Sequence, residues 1–111
     1  MESKSFKINK KAAKDGQSVM VSLSGELSIQ NIVDIKDGLI RLLEDYDKIE
    51  IVTQNVENFD VACVQIFYAL SRSASHLNKE VTYQINLPEE IMSVISHSGL
   101  QNLLVPKAVL H

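Results

Sequence analysis

The apolar residues of this chain occur at two kinds of spacing, which alternate along the sequence. A repeat of two residues is typical of strands with one buried face, and spacings of three and four residues are typical of amphipathic helices. The strand-like runs are Ser5–Asn9, Ser18–Ser24, Lys48–Thr53 and Val81–Ile85, and a helical run follows each of the last three. The order β-β-α-β-α-β-α predicts an α/β fold with a partly parallel sheet, because helices connect neighbouring parallel strands.

The first two strand-like runs flank a polar stretch that contains Asp15-Gly16, a common turn pair. We therefore predict a hairpin, which makes this part of the sheet antiparallel. Met20 is the exception to the alternation of the second run. A solvated edge strand explains the lysines that gather around the first run, since edge lysines discourage aggregation: Lys4, Lys7, Lys10, Lys11 and Lys14.

The segment Gly25–Ser28 is predicted to end the second strand and to start a helix. Ser28 is a candidate N-cap, because its hydroxyl can accept a hydrogen bond from a free backbone N–H. Gly38 lies inside this helix, where it would permit close packing. One helix face is apolar and predicted to be buried: Ile32, Ile35, Leu39, Leu42 and Leu43.

The second helix is predicted to begin at or near Asp60 and to end around Asn78 and Lys79. Asp60 is interpreted mainly as an N-cap, and a functional carboxylate is the alternative. Cys63 is predicted to be buried and inert, although a helix N-terminus can activate a thiol. It begins a predicted core stripe: Cys63, Phe67, Leu70, Ala74 and Leu77.

A third helix is predicted to open at Asn86–Glu90, with Pro88 in its first turn, and to end at Ser98-Gly99. Its buried face would consist of Ile91, Val94 and Ile95. The last apolar piece, Leu100–Val105, fits a short helix or an edge strand.

Length and composition narrow the class of protein. The 111 residues predict a single domain over 1–111, and 45% hydrophobic and 23% charged residues are ordinary for a globular protein. A net charge of −3 argues against nucleic acid as the main partner. The polar N-terminal stretch does not fit a signal peptide, and no apolar run approaches the roughly 20 residues of a membrane span. We therefore expect a cytoplasmic protein that does not itself insert into a membrane.

No catalytic or cofactor motif is visible in the sequence. P-loop, G-x-S-x-G, H-E-x-x-H and G-x-G-x-x-G patterns are absent. The single cysteine excludes an internal disulfide, and His76, His97 and His111 lack the spacing of metal ligands. We therefore expect a protein that is not an enzyme and holds no metal or cofactor.

Three segments together resemble the STAS domain, the family named for sulphate transporters and anti-sigma factor antagonists. The first is L-S-G-E-L-S at Leu23–Ser28, where the family has a similar G-E-L. The second is the strand, loop and F-D at Lys48–Asp60, followed by V-A-C-V-Q. The third is the ending H-S-G-L at His97–Leu100. Their joint order and spacing is much more specific than any one of them.

This resemblance implies an α/β STAS-like fold with a four- to five-stranded mixed sheet and helices mainly on one face. It also implies a non-catalytic module that binds a regulatory protein, such as a kinase-like anti-sigma factor, in partner switching. The alternative is an accessory subunit of a membrane lipid-transport ATPase, or a chemotaxis-associated STAS protein.

The chain departs from the family at the switch position. The family typically has Asp, then Ser or Thr, then a small residue and Gly; here Asp60 is followed by Val61, Ala62 and Cys63. Val61 has no hydroxyl and cannot accept a phosphoryl group. One hypothesis is a domain held permanently in its partner-binding form, and the other is a surface that has lost its role.

The resemblance places the partner surface at the mouth of the second helix and the adjoining start of the first. Val61 and Ala62 would form its apolar centre, surrounded by polar residues, and such a flat patch suits a protein better than a small molecule. The predicted partner-binding residues are Ser24, Glu26, Ser28, Gln30, Asn58, Asp60, Val61, Ala62 and Gln65.

Overall fold

The computed structural model describes residues 5–95, the last two by their backbone alone. A short 3-10 turn, Ile29–Asn31, precedes the first α-helix. The other elements, in chain order, are β1 (Phe6–Ala12), β2 (Ser18–Leu27), α1 (Ile32–Asp45), β3 (Lys48–Phe59), α2 (Val61–His76), β4 (Glu80–Gln84) and α3 (Glu89–Ile95).

The strands form one four-stranded sheet in the order β1-β2-β3-β4. β1 pairs with β2 in the antiparallel sense, which confirms the predicted hairpin. β2 pairs with β3, and β3 with β4, in the parallel sense. The sheet is therefore mixed, as predicted, and its parallel strands are connected by α1 and α2.

The core lies between one face of the sheet and these two helices. The strands contribute Val21, Leu23 and Ile51, which are fully buried, because alternate residues of a strand point to the same face. Phe67 of α2 is buried against Phe59 and Tyr83, with ring centroids 6.0 and 5.2 Å apart. The predicted apolar face of α1 is confirmed at the four positions Ile35, Leu39, Leu42 and Leu43.

Gly38 permits the close packing that its position in the helix suggested. A Cβ atom at this residue would lie 2.9 Å from Cδ1 of Ile8 in β1. The missing side chain therefore lets the edge strand approach α1.

β2 and β3 are longer than the sequence predicted. β2 continues through Gly25 to Leu27, so the predicted end of the strand at Gly25 is wrong. The pairing shifts on either side of Gly25, which has φ +88°, and Asn55 in β3 has φ +51°. These irregular residues let both strands resume pairing after the alternation has been lost.

The end of α2 confirms one prediction and corrects another. Asn78 adopts φ +60°, and the Lys79 N–H donates to the Ala74 carbonyl at 2.8 Å, a pattern typical of a helix C-terminus. The helix therefore ends at His76, near the predicted end. Leu77 lies beyond it and is 54% exposed, so its predicted place in the core stripe is wrong.

α3 begins at Glu89, and the Pro88 carbonyl accepts from the Ile91 and Met92 N–H groups at 3.0 Å. Pro88 thus precedes the first turn by one residue instead of lying in it. Ile91 is half-buried against the core, as predicted. The side chains of Val94 and Ile95, the predicted helix end at Ser98-Gly99 and the predicted element at Leu100–Val105 lie outside the described residues.

Candidate functional site

The predicted partner surface lies at one edge of the sheet, where β2 and β3 end side by side. Leu27 and Phe59 are paired across the two strands. The 3-10 turn that leads into α1 follows Leu27, and α2 follows Phe59. Because the two strands are parallel, both helical segments begin at the same edge.

Asp60 connects these two beginnings. Its Oδ1 atom accepts from the Ala62 N–H at 3.0 Å, which caps α2 and confirms the predicted N-cap. Its Oδ2 atom accepts from the Ile29 N–H at 2.8 Å, in the turn before α1. One carboxylate therefore serves two free backbone donors on different elements, and it fixes the distance between them.

Ser28 does not cap a helix through its side chain, so that prediction is wrong. It is 5% exposed and its hydroxyl makes no capping hydrogen bond. The turn begins instead with the Asn31 N–H, which donates to the Ser28 carbonyl at 2.9 Å. α1 starts later than predicted, at Ile32, and the Asp60 carboxylate occupies the capping role.

Glu26 and Asn58 form a polar link between the ends of β2 and β3. They are paired in β2 and β3, and Asn58 Nδ2 donates to Glu26 Oε2 at 2.9 Å. Glu26 is 3% exposed, and its carbonyl accepts from Asn31 Nδ2 at 2.8 Å. Glu26 therefore joins the ends of the two strands to the turn, whereas Asn58 is exposed.

The remaining predicted residues differ in their position. Val61 is 44% exposed, Ala62 is half-buried, and Gln65 is exposed on α2. Gln30 is exposed in the 3-10 turn, next to Ile29. Ser24 is paired with Lys7 of β1, on the sheet face away from the helices, so the structure does not bring it to the helix mouth.

Two exposed apolar residues near the start of α1 are not among the predicted site residues. Ile29 is 71% exposed and Val33 is 65% exposed. The hydrogen bond from the Ile29 N–H places Ile29 beside Asp60, and Val33 follows four residues later in the first turn of α1. The available signal was an apolar residue, Val33, outside the apolar face of α1. We call Ile29, Val33 and Val61 the helix-mouth patch.

Cys63 lies only two residues beyond Val61, yet it is fully buried, as predicted. Burial raises the pKa of its thiol to about 12, and the nearby Asp60 charge acts in the same direction. Since the thiolate is the reactive form, the predicted inertness is consistent with this environment.

Other chemistry finds little support between residues 5 and 95. No group of three or more potential ligands among these residues could hold a metal ion. His76 lies in the last turn of α2, while His97 and His111 are outside the described residues. None of the helices in this part of the chain is long and apolar enough to cross a bilayer.

Comparison with known protein families identifies the domain. Residues 11–106 match the family described as "Mlab, STAS domain". The match covers most of the chain, which therefore belongs to the STAS domain family, as the sequence motifs predicted. Comparison with the curated proteins gives no match.

Solved structures show the same fold. The chain is similar to the anti-sigma factor antagonist SpoIIAA in its unphosphorylated form, with 15% identity over 87% of this chain and 84% of that one, and a TM-score of 0.69. It is also similar to an anti-sigma factor antagonist from Mycobacterium paratuberculosis, with 18% identity over 88% and 81% of the chains and a TM-score of 0.73. The predicted mixed-sheet α/β STAS fold is thereby confirmed.

Proposed function

We propose that this regulatory STAS module binds a protein partner through the helix-mouth patch. The observation that carries the proposal is the exposure of Ile29 and Val61 at the two helical starts that the Asp60 carboxylate joins, with Val33 exposed in the first turn of α1. Apolar residues that cluster on a surface and are ringed by polar groups are typical of protein contact sites. Gln30, Asn58, Asp60 and Gln65 would form the polar surroundings, with half-buried Ala62 beside Val61 at the apolar centre and Glu26 and Ser28 as support from below.

The partner-binding form is proposed to be permanent. A phosphate at the start of α2 would add about −1.5 to −2 charges next to the apolar patch. Val61 carries no hydroxyl that could receive it, and its methyl groups extend the patch instead. The exposed pair Ile29 and Val33 favours a surface that still binds over one that has lost its role.

The proposed partner is a kinase-like anti-sigma factor or a related regulatory protein, and the module acts by occupying it. STAS domains are generally non-catalytic binding modules, and we propose the same for this chain. The anti-sigma factor antagonists of similar fold support this choice of partner.

A second candidate is a permanent accessory subunit of a membrane lipid-transport ATPase or of a chemotaxis complex. Val61 favours this candidate, since a subunit that stays bound needs no phosphate to release it. The identity of the bound protein distinguishes the two candidates.

Site-specific crosslinking in the native cell tests the partner surface. A photoreactive residue is placed at Val33, inside the helix-mouth patch, or at Leu77, which is 54% exposed at the other end of α2. We expect Val33 alone to crosslink one defined protein with an ATP-binding fold, identified by mass spectrometry. An anti-sigma kinase supports the first candidate, and a transporter subunit the second. Equal products from both positions, or none, would contradict a docking site at the mouth.

The purified partner then allows the affinity to be measured. Val33→Asp is expected to weaken binding at least about tenfold, because a charge would be buried in the contact. Leu77→Asp is the matched control and should leave the affinity unchanged. Titration calorimetry gives both values. Equal losses in the two variants would show that the contact lies elsewhere.

Loss of the switch has its own test if the partner is a kinase. Incubation with the kinase and ATP should leave the intact mass of the wild-type protein unchanged. Val61→Thr introduces a hydroxyl on a side chain of nearly the same shape as valine. We expect this variant to gain one phosphate and then to release the partner. Stoichiometric phosphorylation of the wild-type protein at the helix mouth would contradict the proposal.

A further inference from the structure

The sheet has a second face, opposite to the one that α1 and α2 cover. Lys11, Met20, Glu50 and Thr82 form one row across its four strands, as the strand register shows. Met20 is 45% exposed, and none of the β2 side chains that share this face between Ser18 and Ser24 is buried. We call this surface the open face.

The open face is concave near this row. A hollow of about 420 Å³ extends from the end of β1 to the start of β4, and its lining includes Lys11, Met20, Glu50 and Thr82. A long, adaptable methionine side chain in such a hollow can fill space on an opposing surface. The Met20 side chain of a second sheet can therefore enter this hollow.

The charges of the row are arranged with opposite signs on the two sides of Met20. Lys11 lies one strand away on β1, and Glu50 lies one strand away on β3. Neighbouring strands are about 4.8 Å apart, so the two charged residues stand at equal distances from β2. In the adjacent row, Lys48 and Glu80 are paired neighbours of opposite charge.

We propose that two copies of this chain associate through their open faces, about a two-fold axis that runs parallel to β2 above Met20. This rotation exchanges the β1 side with the β3 side. Lys11 of each copy then faces Glu50 of the other, and the two Met20 side chains meet at the axis. The same patch serves on both copies, as two-fold symmetry requires.

Other residues of the open face are compatible with this arrangement. Asn9, Ser22 and Val52 form the row on the other side of Met20 from Lys48 and Glu80. The rotation places Asn9 of one copy opposite Val52 of the other, and the two Ser22 residues opposite each other. In the Met20 row and the Ser22 row, the rotation places no charged residue opposite a residue of the same charge. Two sheets packed face to face are about 10 Å apart, which leaves room for the lysine and glutamate side chains.

The association would be independent of the helix-mouth patch, which lies where β2 and β3 end. It would also give the first-strand lysine Lys11 a role besides protection of the edge. Because the contact is small and includes exposed charge pairs, we expect a dissociation constant on the order of 100 μM.

Sedimentation equilibrium of the full-length chain over a concentration series tests the proposal. The wild-type protein should form a dimer whose dissociation constant rises with salt. Lys11→Glu and Glu50→Lys should each weaken it about tenfold or more, since each opposes like charges. The double variant Lys11→Glu/Glu50→Lys should restore the wild-type value, because the pairs are re-formed with their signs exchanged.

Controls separate this surface from others. Lys36→Glu and Glu44→Lys make the same charge changes at exposed positions of α1 and should leave the dimer unchanged. Circular dichroism verifies that every variant is folded. A protein that stays monomeric throughout the series overturns the proposal, and so does a dimer that neither single charge reversal weakens.

Discussion

The β2–α1 junction and the β3–α2 junction lie side by side, and they satisfy the free N–H groups of their helical segments in different ways. In both, a parallel strand ends and a helical segment begins. The β3–α2 junction is direct, because Asp60 alone separates the strand from the helix and caps it with its own side chain. The β2–α1 junction passes through Ser28 and a 3-10 turn, and no side chain of its own caps it.

The difference shows that one junction depends on the other. The free Ile29 N–H of the first junction is satisfied by Asp60 of the second. Both strands also contain a residue with positive φ shortly before they end, Gly25 in β2 and Asn55 in β3. The β2–α1 junction relies on the backbone of Gly25 and on the carboxylate of Asp60, which belongs to the other junction. The β3–α2 junction supplies its own cap.

The largest expected effect is at Gly25. Its φ is +88°, and a Cβ atom would lie 2.6 Å from the Ser5 carbonyl oxygen, which accepts from the Glu26 N–H at 2.9 Å. Gly25→Ala should therefore lower the free energy of unfolding by about 3 kcal/mol, because backbone strain and a backbone clash add. Urea unfolding followed by circular dichroism measures the loss.

Gly16 is the matched control for this substitution. It also has a positive φ, +72°, but no atom lies within 4 Å of the added Cβ. Gly16→Ala should cost only about 1 kcal/mol, from the conformational strain alone. Equal losses at the two glycines would show that the contact with Ser5 does not matter.

Asp60→Ala should have the second-largest effect. It removes hydrogen bonds to Ala62 and Ile29, and two charge-assisted bonds at partly exposed sites correspond to about 2 kcal/mol. Amide exchange should accelerate at both N–H groups, although they belong to different elements. Asp34→Ala, in the first turn of α1, is the control and should cost less than about 0.5 kcal/mol.

Faster amide exchange at the Ala62 N–H alone would show that the β2–α1 junction does not depend on Asp60. Asp60 would then be only a local cap, and the helix-mouth patch would not depend on it.

Asn55 tests the strand that precedes the second junction. Asparagine tolerates its φ of +51° better than alanine, and glycine tolerates it best. Asn55→Ala should cost about 1 kcal/mol, whereas Asn55→Gly should stay within about 0.5 kcal/mol of the wild type. Thermal unfolding of the two variants provides the comparison. A similar loss in both would mean that the asparagine side chain, and not its backbone angle, is what matters.

The sequence predicted those features that depend on neighbouring residues. The alternation in β1 and β2, the apolar face of α1 and the Asp60 cap all follow from short spacings. Contacts between distant residues could not be predicted in this way, because many partners are equally compatible with a local pattern. Asp60 and Ile29 are 31 positions apart. Buried Thr53 likewise exchanges hydrogen bonds with Asn86, 33 positions away, through Oγ1 at 2.7 and 3.1 Å.

The positions of the candidate site residues were predictable only in part for the same reason. Val61 was identified from its place after Asp60. Ile29 lies beside Asp60 only because its N–H donates to that carboxylate, a contact between distant residues that no local pattern shows. Leu77 shows the opposite case, since its spacing fits the core stripe but the helix has already ended.

The smallest expected effect is at Ser28, the residue that the sequence predicted to be the cap of the first helical segment. Its hydroxyl makes no capping hydrogen bond, and the turn is closed by its carbonyl, which any residue possesses. Ser28→Ala should therefore change the free energy of unfolding by less than about 0.5 kcal/mol, well below the roughly 1 kcal/mol of a working serine cap. Chemical unfolding beside Asp60→Ala measures the contrast. A loss at Ser28 as large as that at Asp60 would mean that the first junction has a cap of its own, and the dependence of one junction on the other would no longer hold.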